Sequence, residues 1–434
     1  MARPLPFVLA ALTVTAAISC KVYDESLLLD GVAGFGAMPA GDGIGWWSGT
    51  DPTTKCATAS MPTAEDRPAK SDPGASVPPI VFAIRSMRLG SLDRDGNLSK
   101  TAWQDIGFDL DGTCTRSPTC DVPEPVYPCK ALLTVIPGDG NYCRDNRFGE
   151  LEYAIATNED IGQRFSLNDH TFNCSLCVGA FNMLFKISDY NGQPNDATVR
   201  VDIYPSPGIE TLKGIDCRTQ TTWAAEDCWQ IQDPWAVQSD YVNEPVGSTV
   251  VGNSKLDDST AFVRDGYAVV RLRDNTRFWF PDDRGIATAF PLVVQGGIVT
   301  GKLELGPDGA WTLTDGIIAG RMDTKDAIDG FHFIGLCEGD PFAATVEGFS
   351  KGWADVLSSG AFLPEVTCDA LSVGIAFEAS EATVGAVAKV EVPDPCTSVD
   401  AGADSGADAG ADAGADAGVE ASVEASVDAE SEGG

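Results

Sequence analysis

Apolar residues in the middle of this 434-residue chain recur mostly at every second position, and that period restricts what the chain can become. Phe181, Met183, Phe185 and Ile187 alternate with Asn182, Leu184, Lys186 and Ser188. Past a loop containing Asn191-Gly192, the residues Val199, Val201 and Ile203 alternate with Arg200, Asp202 and Tyr204. Such a pair predicts an antiparallel hairpin with one dry and one wetter face. The pattern continues through Ala268, Val270 and Leu272, turns at Asp274-Asn275, and resumes at Arg277-Phe278-Trp279-Phe280. Gln295-Gly296-Gly297 is expected to precede a further strand carrying Leu303 and Leu305, and Pro307-Asp308-Gly309 turns it into Trp311 and Leu313. Strands are also expected at 371–378 and 384–392. Successive strands with tight turns predict a mainly β meander in a sandwich or barrel, and of the two an antiparallel β-sandwich of the jelly-roll or concanavalin-like kind is expected over residues 79–396.

One stretch breaks the period. Asp340-Pro341 is a helix start, and Phe342, Val346, Phe349, Trp353 and Val356 follow at helical spacing up to Gly360. A second helix is expected over 325–336, giving a helical insert at about 324–360. An excursion at 213–260 carries Cys217, Trp223, Cys228, Trp229 and Trp235.

Cysteine parity says where such a chain resides. There are thirteen cysteines. Residues 5–18 form a short apolar run behind Arg3, which predicts a signal peptide over 1–19. The run ends in Ala16-Ala17-Ile18-Ser19-Cys20, which resembles the lipobox of bacterial lipoproteins. That resemblance implies cleavage before Cys20 and a lipid anchor on it. Ala17 and Ser19 also suit ordinary signal peptidase, which leaves that alternative open. With Cys20 set aside, twelve cysteines remain, at 56, 114, 120, 129, 143, 174, 177, 217, 228, 337, 368 and 396, enough for six disulfides in an oxidising compartment. Short loops suggest the pairs Cys114–Cys120, Cys129–Cys143 and Cys217–Cys228, and Cys337 and Cys368 bracket the helical insert. Lys21, where an aspartate would signal inner-membrane retention, points to the outer membrane.

Both flanks read as linkers. Residues 20–78 are rich in Gly, Pro, Ala and Asp and are expected to form a tether, with Trp46 and Trp47 packing one aromatic knot. The alternative is an exposed aromatic platform for a sugar. Ten of the last 38 residues are acidic and none is basic, in four-residue steps of Asp-Ala-Gly-Ala and Glu-Ala-Ser-Val. Like charges four apart repel and the glycines weaken a helix, so 397–434 is expected to be a disordered acidic tail. The net charge of −35 argues against nucleic acid as a partner.

Three acidic loops carry hard oxygen ligands of the kind calcium takes. They are Asp93-Arg-Asp95-Gly-Asn97, Asp109-Leu-Asp111-Gly112, and Asp139-Gly-Asn141 with Asp145-Asn146. Calcium is expected first at the third, formed by Asp139, Asn141, Asp145 and Asn146. Asp-Gly pairs are also plain turn residues. Catalysis finds little support: no Gly-x-Ser-x-Gly elbow and no His-Glu-x-x-His helix occurs. Cys174-Ser-Leu-Cys177 reads as disulfide-forming rather than as a redox or zinc pair. Glu150 and Glu152 would share one face of a strand, as two glycosidase carboxylates could.

Lipobox, Gly/Pro arm, cysteine-stapled domain and Ala-Gly-Asp tract together resemble the uncharacterised lipoproteins common in myxobacteria, with Cys20 and residues 400–418 carrying the resemblance. Residues 181–204 resemble the hairpin of laminin-G or concanavalin-like sandwiches. Three functions are compatible with this organisation. The first is a non-catalytic cell-envelope lipoprotein that binds a glycan or an envelope protein through sandwich loops. The others are a calcium-dependent polysaccharide hydrolase and a structural envelope spacer.

Overall fold

Alternation along the strands sends every second side chain to a common interior. A computed structural model describes residues 47–122, 124–132, 138–157, 169–217, 219–220, 222–282, 285–340, 342–390 and 395–396. Cys20, the expected leader and the acidic tail at 397–434 lie outside the described residues. The strands in chain order are β1 (Ser48–Thr50), β2 (Ala57–Ala59), β3 (Ile80–Arg88), β4 (Asn182–Ser188), β5 (Asp196–Ser206), β6 (Pro234–Gln238) and β7 (Leu256–Arg264). They continue as β8 (Tyr267–Arg271), β9 (Thr276–Asp282), β10 (Gly285–Leu305), β11 (Trp311–Asp323), β12 (Ala370–Glu381) and β13 (Thr383–Ala388). Four α-helices lie among the described residues: α1 (Arg147–Ala156), α2 (Asp169–Val178), α3 (Thr324–Phe333) and α4 (Ala343–Gly352).

The expected sandwich is replaced by a closed barrel. Strand order runs β11-β12-β3-β4-β5-β7-β8-β10, and β10 pairs again with β11 to close the ring of eight antiparallel strands. A sandwich leaves edge strands; closure removes them. The device that permits closure is β10. Its first half pairs with β9, from Ala289 opposite Pro281 to Val294 opposite Thr276, and its second half pairs with β8, from Ile298 opposite Arg271 to Lys302 opposite Tyr267. The switch falls at Gly296-Gly297, which is a bulge inside one long strand and not the break before a strand that the sequence suggested. Gly296 has φ of 54°, and a Cβ on Gly297 would stand 2.6 Å from Val294 and 2.8 Å from Leu272, so glycine is required for the bend.

The barrel is filled. Phe82, Ile84, Phe185, Val201, Ile318 and Val373 belong to one buried cluster, as expected for a small barrel whose interior holds side chains only. Intervening residues face outward and are covered by two further layers. Ala83, Leu184 and Tyr204 pack against Trp229, Trp235 and Val237, beneath the two-stranded sheet of β6 and β13. Phe108, Phe262, Val269 and Ile298 pack with Trp47. The folded body therefore includes residues 47–78, which the composition assigned to a tether: Trp47 sits edge-on to Tyr267 at 4.9 Å between ring centroids, and Cys56 is buried. Trp46 lies outside the described residues.

The hairpin of β4 and β5 forms as its alternation predicts, with Ile187 opposite Val201 and Phe185 opposite Ile203. The helical insert is present as α3 and α4, with Asp340 accepting a hydrogen bond from the Phe342 amide (2.8 Å) before α4 begins. Residues 147–156 form a helix where the sequence was read as a strand bearing Glu150 and Glu152. Phe148, Leu151 and Ile155 form its apolar face against the barrel, while Glu152 is buried and Glu150 is turned toward the surface.

All twelve cysteines from Cys56 to Cys396 pair, but not as short loops suggested. The bonds are Cys56–Cys120, Cys114–Cys143, Cys129–Cys368, Cys174–Cys217, Cys177–Cys228 and Cys337–Cys396. The expected pairs Cys114–Cys120, Cys129–Cys143 and Cys217–Cys228 are thus all replaced, and Cys337 and Cys368, which bracket the insert, bond to Cys396 and Cys129. The barrel decides this by bringing together segments remote in sequence, so that Cys129 and Cys368, 239 residues apart, stand 5.2 Å apart at Cα. Helix α2 presents Cys174 and Cys177 one turn apart on a rigid rod, and each reaches a different point of the excursion at 213–260.

Candidate metal centre

Two of the three acidic loops meet. Phe108 and Asp145 form an antiparallel bridge, with the Asp145 amide donating to the Phe108 carbonyl (2.9 Å). The Asp139 amide donates to the Thr115 carbonyl (2.8 Å). The Cys114–Cys143 bond ties the same two segments covalently, with 4.9 Å between Cα atoms. One carboxylate oxygen each of Asp109, Asp111 and Asp145 thereby fall within 4.8 Å of one another. Asp139, Asp145 and Asp111 line a small cavity together with Thr115, Asn146, Arg147 and Asp355. Its volume is about 10 Å³, space for roughly one water-sized particle.

Each aspartate spends part of its hydrogen-bonding capacity on fixing the loops. Asp109 accepts from the Gly112 amide (2.7 Å), Asp111 from Thr113 (2.7 Å), Asp145 from Leu110 (2.7 Å) and Asp139 from Thr115 (2.5 Å). Asp355, which no sequence motif marks, enters from the segment after α4 and accepts from both the amide and the hydroxyl of Ser372 (2.8 and 2.5 Å).

The electrostatics of this nest are severe. Burial, with further repulsion from Asp51, pushes the Asp109 carboxyl up to about 7 against the pull of its amide hydrogen bonds. Burial and the charges of their neighbours hold Asp111, Asp139 and Asp145 well above the ordinary carboxylate range. Burial likewise raises Asp355, against the pull of Ser372 and Arg147. Arg147 and Arg321 supply the nearby positive charge. Burial lowers the Arg147 guanidinium to about 10 although Asp355 and Asp139 pull it upward. Two cations facing five carboxyls, on the buried residues Asp109, Asp139 and Asp145 and the half-buried Asp111 and Asp355, leave an excess of negative charge that protons or a further cation would relieve.

The donor set suits a hard cation. Carboxylate oxygens are the ligands of calcium and magnesium, and ligands on opposite sides of a calcium ion stand about 4.6–5.2 Å apart, against about 4.0–4.2 Å for magnesium. Three carboxylate oxygens within 4.8 Å of one another stand close enough for one hard cation to contact all three. Cys56, Cys114 and Cys143 also cluster here, but all three are consumed in disulfides and offer no thiolate.

The remaining expected ligands go elsewhere. Asn141 donates to Asp105 (2.8 Å) in a 3₁₀ turn. Asn146 lines the cavity, but its side-chain oxygen caps α1 through the Gly149 amide (3.0 Å) and accepts from Gly374 (2.9 Å). Asp93, Asp95 and Asn97 form a separate turn in which Asp93 accepts from the amides of Asp95 and Asn97, both at 2.9 Å.

Glu150 and Glu152 do not form a facing pair. Glu150 is held by Arg147, whereas one oxygen of Glu152 accepts from Ser91 (3.1 Å) beside the apolar residues Leu151, Phe172 and Phe331. Comparison with protein-family models, with curated proteins and with solved structures finds no match for this chain.

Proposed function

We propose that this chain is a non-catalytic binding protein of the bacterial cell envelope, anchored through lipid on Cys20 to the outer membrane. Its disulfide-clamped barrel is completed by one calcium ion at Asp109, Asp111, Asp139 and Asp145. The observation that carries the metal reading is that Asp111, Asp139, Asp145 and Asp355 line a cavity of about 10 Å³ while oxygens of Asp109, Asp111 and Asp145 lie within 4.8 Å of one another, with two arginines to balance the five. Calcium neutralises them without protonation and joins the 109–115 loop to the 138–146 loop, as the Cys114–Cys143 bond does beside it. Six disulfides and a filled barrel suit a rigid platform in an oxidising space. The ligand, a glycan or an envelope protein, is taken by the surface and not by the barrel interior, because that interior is occupied by side chains.

Two measurements test this reading. Cys20→Ala should move the protein from the membrane fraction to the soluble fraction; a wild-type protein that is already soluble contradicts the anchor. Calcium should slow proteolysis within 109–146 relative to chelator; equal cleavage rates contradict the metal centre.

A further inference from the structure

On the outer side of α1 an open cleft of about 470 Å³ is lined by Lys100, Glu150, Tyr153, Ala154, Thr157 and Trp353. Its size falls in the range of small-molecule sites. Glu150, Tyr153 and Thr157 share one face of the helix end by their spacing of three and four residues. Across from them stands Trp353, directly after α4. A single cation organises the wall: the Arg147 guanidinium is ion-paired with Glu150 and lies 4.9 Å from the centre of the Trp353 ring. The carboxylate and the indole are therefore held in fixed relation before any ligand arrives.

We propose that this cleft is a saccharide subsite for a neutral pyranose. The inference rests on the binding-protein reading above and names its ligand class. Two aromatic side chains offer flat apolar surface to the C–H face of a sugar ring, which needs no charge and loses little entropy on contact. The Glu150 carboxylate accepts from neighbouring hydroxyls and the Lys100 ammonium donates to them, bonds strengthened by the charge on the protein partner. An anionic sugar is disfavoured by the field of a chain with net charge −35. A peptide ligand is disfavoured because the lining lacks a hydrophobic pocket for an anchoring side chain. Arg147 lines the aspartate cavity and contacts Glu150 and Trp353 of the cleft, so it links the two regions.

The test uses the purified full chain in calcium and a panel of methyl glucoside, methyl galactoside, methyl mannoside, N-acetylglucosamine and their β-linked disaccharides, read by saturation-transfer NMR and tryptophan fluorescence. At least one member should bind. Tyr153→Ala and Lys100→Ala should each weaken that binding at least fivefold with an unchanged melting temperature, whereas the surface control Lys351→Ala should leave it unaltered. Trp353→Phe keeps a ring in place and should weaken binding less than Tyr153→Ala. Binding by no member of the panel overturns the proposal, as does binding indifferent to both Tyr153→Ala and Lys100→Ala. Calcium binding, measured separately on the same preparation, decides whether the metal reading falls with the subsite or survives it.

Discussion

Helix α1 touches two nests of buried carboxyls, and they are handled in opposite ways. Midway along it, Glu152 meets Asp169 of α2 through the Ser91 hydroxyl, which bonds to both (3.1 and 2.9 Å). Asp169 is further satisfied by the Leu89 and Leu92 amides (2.7 and 3.2 Å). Two acids in an apolar wall settle by hydrogen bonding and by protonation: burial, with the charge of Asp169, holds Glu152 well above its ordinary range, and burial pushes Asp169 up to about 6. At the N-terminal end, Asp111, Asp139, Asp145 and Asp355 line a cavity of about 10 Å³, with Asp109 beside Asp111 and Asp145, and the five share two arginines. A pair of acids can be quieted by protons and amides. The larger nest keeps more carboxyls than its two arginines balance, and the proposed calcium ion would take up that excess.

The largest effect separating the two regions should come from the apolar side. Phe172 is buried beside Glu152, and Phe172→Ala should cost about 3–5 kcal/mol in urea unfolding while leaving calcium affinity unchanged. A matching loss of calcium binding would show that the two nests are not independent.

Next in size is withdrawal of calcium. At one hundred times its dissociation constant the ion should stabilise the chain by about 2.7 kcal/mol at pH 7.5, seen as a higher melting temperature than in chelator. The pH dependence has a definite sign. The Asp109 carboxyl is raised to about 7 in the fold, so the metal-free fold gains stability from its proton below the ordinary carboxylate range and loses it as pH rises through about 7. Calcium needs the deprotonated form, so its stabilising effect should grow over the same interval and be small at pH 4.5. A calcium effect independent of pH would contradict the carboxylate cluster as its site.

Smaller still is Asp139→Asn. It should weaken calcium binding at least tenfold yet raise the unfolding free energy of the metal-free chain by on the order of 1 kcal/mol, because one member of a repelling set is gone. The smallest effect belongs to Glu152→Gln, which replaces a protonated acid by its near-isostere. It should stay within about 0.5–1 kcal/mol by chemical denaturation and leave calcium affinity untouched.

How much of this was legible depended on whether the deciding contact was local. The β4/β5 hairpin was readable because alternation and the Asn191-Gly192 loop act within some twenty-five residues. Helices α3 and α4 were readable from capping and spacing. Helix α1 was not, since Leu151, Tyr153 and Ile155 mimic a strand period while Phe148, Leu151 and Ile155 carry the helical one. Closure of the barrel depends on β10 changing partners at Gly296-Gly297, and a glycine pair reads equally well as a turn. The disulfides follow closure and not loop length, so every locally chosen pair missed. At the candidate metal centre, Asp139 in its Asp-Gly pair and Asp145 in its Asp-Asn pair were visible. What chose among them was the pairing of the 108–115 and 138–146 segments, and what added Asp355 was the approach of a segment more than two hundred residues further along.

The most direct test is a calorimetric titration of calcium into the chelator-stripped full chain at pH 7.5, repeated on Asp139→Asn and Asp145→Asn. One saturable site per chain that disappears in both variants is the predicted result. No binding heat, or only weak multiple binding that persists unchanged in both variants, as an acidic tail alone would give, would contradict the metal centre.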